Sequence, residues 1–203
     1  EGITQISSKD IRYAKELGCV VKLLGVARNT GTGIEVRVHP MLIPDTHPLA
    51  TVNDSFNAVF VHGDAVDDAM FYGRGAGELP TASAIVGDVF DIVRNILADA
   101  TGRIGCTCYK QLPIKDPDDM ESRFFLRLHV DDRPGVLASI ASVLGNNNVS
   151  IAQVIQKQKD GDLAEIVVVT AGVREGDFND AMLIIEGMNA VHKVSSVIRV
   201  YGE

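Results

Sequence analysis

The stretch "DDRPGVLASIASVLGNNNVSIAQV", from Asp131 to Val154, concentrates its chemistry in one turn. Pro134 suits the first turn of a helix, where its missing N–H leaves no bond unmade. Gly135 allows close approach to the backbone. The N–H groups at a helix start, with the helix dipole, favour a carboxylate. Asp132, just ahead of them, can take an ammonium group or cap the helix. A carboxylate beside an ammonium is what a free amino acid presents. The turn therefore reads either as an amino-acid site or as a helix cap.

A second stretch, "MFYGRGAGELPTASAIVGD", places Gly73, Gly75 and Gly77 ahead of a helical pattern. The third glycine of G-x-G-x-x-G is missing, and no acidic residue follows at the end of a next strand. It is not a dinucleotide fingerprint on its own spacing. It reads as a loop whose backbone meets another group closely. Metal chemistry finds little support. Cys106-Thr107-Cys108 has no second cysteine pair. His39, His47, His62, His129 and His192 have no ligand spacing, and Asp64, Asp67 and Asp68 read as a solvated turn.

Two hundred and three residues suffice for one or two domains with a real core. Formal net charge is −8, with acid exceeding base on both sides of residue 120, which argues against nucleic acid as a partner. No apolar run reaches the roughly 18 residues of a membrane span. The cysteine count is odd and no leader peptide is evident, so a cytoplasmic protein is expected. The opening "EGITQISSKD" has no initiator Met and is already globular in pattern, as in a piece of a longer chain.

The elements that must hold these turns follow from periodicity. "SSKDIRYAKELG" predicts a helix with Ser8 as N-cap and Gly18 as stop. "CVVKLLGVAR" and "IEVRVHPMLI" flank the turn Asn29 to Gly33 as a hairpin. "HPLATV" predicts a short helix, "NAVFVHG" and "AMFYGRG" two strands. A long helix beginning at Pro80 and Thr81 carries Ile85, Val89, Ile92, Val93 and Ile96. "YKQLPIKDPDDMES" reads as a linker. Beyond it "RFFLRLHV" alternates, with Phe124, Leu126, Leu128 and Val130 on one face. A helix (Val136, Leu137, Ile140, Ala141, Leu144) follows. Two strands then flank a turn at Lys159 to Asp162, before a helix with Phe178, Met182 and Ile185 inward, and a last strand. This β-α-β-β-α-β order is the ferredoxin-like arrangement, whose crossovers put both helices on one face. The other face needs a cover from another domain or subunit. The class is α+β.

With its turn, this order closely resembles an ACT domain, the regulatory module of amino-acid metabolism. The resemblance implies that Asp132, Gly135, Val136 and Leu137 bind an amino-acid effector. Ser150 and Ile151 would contribute from the strand start, across a domain–domain interface. Many members carry Asn where this chain has Asp132 and Ser150. Upstream, "EGI", "KLLG", "RVHPMLIP", "HPLATVNDSFNAVFVHGD" and "MFYGRGAGELPTASAIVGDV" resemble the C-terminal half of the catalytic domain of homoserine dehydrogenases.

The implied organisation is a mixed-sheet substrate and dimerisation portion over 1–115, a linker over 116–122 and an ACT domain over 123–203. The implied chemistry is reversible reduction of aspartate semialdehyde to homoserine with NADP or NAD, toward threonine, methionine and isoleucine. Gly77 and Thr81 would lie against the nucleotide near the nicotinamide, with Gly75 shaping the loop. The nucleotide-binding domain, acid–base lysine and substrate carboxylates would lie upstream, leaving this piece inactive. A homodimer or higher homo-oligomer is implied, with threonine as the effector. The other reading left open is a stand-alone amino-acid sensor without catalysis.

Overall fold

The computed structural model describes residues 1–100, 102, 105, 106, 110–160 and 163–202. The chain forms two compact units. One joins residues 1–44 to 112–203, and the other is 45–111. In chain order the elements are α1 (Ser8–Glu16), β1 (Cys19–Asn29), β2 (Ile34–Pro44), β3 (Phe56–Gly63), β4 (Asp67–Arg74) and α2 (Glu78–Leu97). They continue with β5 (Glu121–Asp131), α3 (Val136–Asn146), β6 (Ile151–Asp160), β7 (Leu163–Thr170), β8 (Val173–Arg174), α4 (Glu175–Glu186) and β9 (Val191–Val200). The fold is α+β. Among the described residues no helix is long and apolar enough to cross a membrane.

The larger unit is built on one sheet of order β1-β2-β9-β5-β7-β6. Its last four strands pair antiparallel and carry the β-α-β-β-α-β order. Alternation puts Phe124, Leu126, Leu128 and Val130 of β5 against α3 (Val136, Ile140, Leu144) and α4 (Phe178, Ala181, Met182, Ile185) in the main core. The Phe124 and Phe178 rings stack at 3.6 Å. Residues 19–44 do not stand apart from this sheet. β2 lies parallel to β9 through Met41↔Arg199 and Leu42↔Val200, and β1 pairs antiparallel with β2.

The opposite face is partly covered within the chain. Helix α1 lies on it, and Tyr13 and Ala14 pack with Leu42, Phe125, Val167, Val169 and Ile198. The cover expected from another domain or subunit is thus supplied in part by residues 8–16. The N-cap is Ser7 rather than Ser8. Ser7 and Asp10 form a reciprocal capping box, and Gly18 follows the end at φ +66°.

That face is also ionic. Arg127, 4% exposed, donates to Asp10 of α1 at 2.8 Å, to Glu165 of β7 at 2.8 Å and to the Ser7 hydroxyl at 3.2 Å. Tyr13 donates its hydroxyl to Glu165 at 2.7 Å. Burial raises the Asp10 and Glu165 carboxyls most strongly. The hydrogen bonds they accept, with the nearby cations, outweigh it and hold both below the ordinary range. Burial and the Glu165 hydrogen bond push the Tyr13 hydroxyl up to about 12. On the helix face Glu175 gathers Arg37 at 2.6 Å, Arg199 at 2.7 Å and the Ser122 hydroxyl at 2.7 Å. Its carboxyl is also held low: burial opposes ionisation, and Arg199 and Ser122 prevail.

The smaller unit contains the β3–β4 hairpin, a 3-10 turn at Pro48–Thr51 and α2, which has no buried residue. Helix α2 starts at Glu78 with Gly77 as N-cap, two residues before Pro80. Cys108 of the C-x-C pair, and Gly161 and Asp162 of the β6–β7 turn, lie outside the described residues.

His39, 1% exposed on β2, is depressed by burial, and its Nε2 has no partner. Below about pH 6.5 the unfolded chain takes up a proton that folded His39 refuses. The melting temperature is expected to start falling below that pH. A further, steeper fall is expected below about pH 4, as Asp10, Glu165 and Glu175 are protonated. His39→Gln should remove part of the upper fall and leave the lower one. Thermal melts between pH 3 and 8 check this, and identical profiles for the two chains would contradict it.

Candidate functional site

The turn between β5 and α3 lines a cavity of about 410 Å³ with Asp131, Asp132, Arg133, Pro134, Gly135, Val136, Leu137, Gln156 and Ile166. β5 brings the two aspartates to the cavity, α3 begins at its wall, and Gln156 of β6 pairs with Ile166 of β7 across the floor. The N-cap of α3 is Gly135 at φ +92°, with no side-chain cap bond. Gly135, not Asp132, therefore holds the N-cap position, and Pro134 precedes it instead of sitting in the first turn. The left-handed Gly135 turns the chain sharply enough for α3 to start without a capping side chain. Val136 N–H donates back to the Arg133 carbonyl at 3.4 Å, closing the turn on which the helix starts.

Asp131 fastens this turn to the sheet. It accepts from His192 at 2.6 Å and from Arg133 at 2.9 Å. The His192 hydrogen bond first, aided by the Arg133 charge, keeps its carboxyl below the ordinary range. His192 reaches Asp131 because β9 is irregular there. The β5–β9 register skips Ser195 and then His192. Both skipped residues turn back to β5: Ser195 bonds His129 at 2.7 Å, as His192 bonds Asp131. Bulges of this kind re-aim side chains beside functional sites.

The structure brings Asp132, Gly135, Val136 and Leu137 together on the cavity. Ser150 and Ile151 are not on its wall. Ser150 is exposed, its carbonyl accepting from Ala171 at 2.8 Å, and Ile151 packs on the main core. Periodicity missed Asp131, Gln156 and Ile166 on the wall and His192, which bonds Asp131, because these placements depend on strand register and a bulge rather than on residue type.

In the smaller unit Gly75, Gly77 and Thr81 share one loop and helix start. Gly75 N–H donates to the Ser55 carbonyl at 3.0 Å, and Thr81 N–H to the Gly77 carbonyl at 3.1 Å. A Cβ at Gly75 would lie 1.8 Å from Nδ2 of Asn57, and Gly77 holds φ +121°. Arg74 lies over the Phe56 ring at 4.8 Å and bonds Ser55 at 3.1 Å. The loop thus presents backbone, pinned from the hairpin side. Among the described residues no group of three or more His, Cys, Asp or Glu is placed to hold a metal.

Residues 1–90 match the homoserine dehydrogenase family model and residues 124–186 the ACT domain model. Homoserine dehydrogenase of Bacillus subtilis is 41% identical over 100% of this chain and 47% of its own length. That of Neisseria gonorrhoeae is 43% identical over 98% of this chain and 47% of its own length. A homoserine dehydrogenase crystal structure from Thiobacillus denitrificans superposes with a TM-score of 0.89 at 41% identity, over 99% of this chain and 47% of that one. The chain belongs to the homoserine dehydrogenase family. It spans about half the length of the curated relatives it matches. Helix α1 and the β1–β2 hairpin lie in the homoserine dehydrogenase match, whereas β5 to α4 coincide nearly with the ACT match.

Gly135→Ala is expected to cost about 1–2 kcal/mol, since no atom crowds a Cβ there but its left-handed φ strains any L side chain. Urea unfolding measures it, and unchanged stability would mean that the turn can relax.

Proposed function

We propose that this chain supplies the effector-binding part and one cofactor-facing wall of a homoserine dehydrogenase. Such an enzyme interconverts L-homoserine and L-aspartate 4-semialdehyde with NADP or NAD. The observation that carries the reading is the cavity at Asp131 to Leu137, which combines a carboxylate pair with an uncapped helix start. An amino acid's carboxylate meets the positive N-terminal end of α3, and its ammonium meets Asp132. Threonine is the effector proposed. Ser150 and Ile151, away from this cavity, would serve a facing copy.

The glycine loop fits one side of a nucleotide, because it offers backbone where a side chain would collide with Asn57. When bound, the nicotinamide gives or accepts a hydride. Gly77 and Thr81 would hold it in place, with Gly75 shaping the turn. The acid–base lysine and the nucleotide-binding domain belong upstream on this reading, in a protein expected in the cytoplasm. Homodimerisation is proposed on the smaller unit, where Phe71, Phe90, Ile96 and Leu97 are exposed together with much of α2.

Calorimetric titration with threonine, against serine, methionine, isoleucine and lysine, tests the site. Saturable, selective threonine binding is expected. Asp132→Ala should weaken it by about 1–3 kcal/mol. Absence of binding by all five would overturn the effector reading. The chain alone is expected to show no homoserine oxidation with NAD or NADP, and measurable turnover would contradict the placing of the acid–base group upstream.

A further inference from the structure

We propose that docking of α1 is coupled to occupancy of the Asp131–Leu137 cavity, and that the polar line Asp10–Arg127–Glu165–His129, running from α1 onto β5 and β7, carries the coupling. This rests on the effector reading and names how that site is read out.

The line is continuous. It starts at the α1 capping box, where Asp10 serves both the helix N-terminus and Arg127. Arg127 passes to Glu165, and Glu165 meets Nε2 of His129 at 3.0 Å. The other ring nitrogen of His129 bonds Ser195, the first residue skipped in the β5–β9 register. Two residues further along β5 stands Asp131, on the cavity wall and bonded to His192, the second skipped residue. Glu165 is followed directly by Ile166, which lines the same cavity. Effector site and helix dock therefore share two neighbouring strands, and irregular pairing lies between Arg127 and Asp131.

The α1 interface suits such a role. A dock made only of Tyr13 and Ala14 would tolerate sliding. Buried ion pairs tolerate it poorly, because a displaced Asp10 leaves the Arg127 charge short of a partner in a dry site. A small change in the set of β5 thus becomes a large change in how well α1 fits. By linkage the effect is reciprocal: whatever loosens α1 changes affinity at the cavity by the same factor.

Amide hydrogen exchange on this chain, with and without saturating L-threonine, tests the coupling. Amides in α1 are expected to exchange about fivefold or more slower with threonine bound. Asp10→Asn should abolish that protection and weaken threonine binding by about the same factor. Should Asp10→Asn fail to fold, Tyr13→Phe removes only the hydroxyl donated to Glu165 and should reduce both effects. Threonine binding with unchanged α1 exchange, or a folded variant with the wild-type Kd, overturns the coupling but leaves the effector reading intact. Absence of threonine binding in the wild type overturns both.

Discussion

A β-α-β-β-α-β sheet has two apolar faces and only two helices of its own, both on one side. The rest of the larger unit follows from that imbalance. Val167, Val169, Phe125 and Ile198 would expose a flat apolar surface unless something lay across it. Here α1 lies across it, and the β1–β2 hairpin extends the sheet beyond β9. Residues 1–44 of the segment that matches homoserine dehydrogenase therefore share a sheet and a packed cluster with the segment that matches an ACT domain. Their joining is structural as well as genetic.

The joint is unusually polar for a core. A single guanidinium, Arg127, satisfies two carboxylates from different elements, while Glu165 also receives Tyr13 and His129. Desolvating such groups costs several kcal/mol per charge, and the return depends on geometry. What the network provides is register: α1 fits in one position along the sheet. Precision of that kind has use in a protein whose cavity opens on the same strands.

Much of the larger unit was readable from alternation. Phe124, Leu126, Leu128 and Val130 announce one buried face, and the turn at Asp132 to Gly135 announces the start of α3. The strand order and both helices agree with that reading. The far face was harder: it called for a cover, but nothing in Phe125, Arg127 and His129 says that α1 supplies it. The pairing of β2 with β9 rests on two registered residue pairs about 160 positions apart, and nothing local signals it. The α1 cap shows a missed local signal: Ser7-x-x-Asp10 is a capping-box spacing, yet Ser8 looked equivalent. At the cavity, residue types pointed to Asp132, whereas the wall also needs Gln156 and Ile166, which only strand register brings there.

A double-mutant cycle on Asp10→Asn and Arg127→Gln, followed by urea unfolding, addresses the joint most directly. A coupling energy of about 1–3 kcal/mol is expected, with each single substitution losing more than its share of the double. Strictly additive losses would mean that α1 rests on the sheet through Tyr13 and Ala14 alone, and that the ion pair between the two family segments contributes nothing to holding them together.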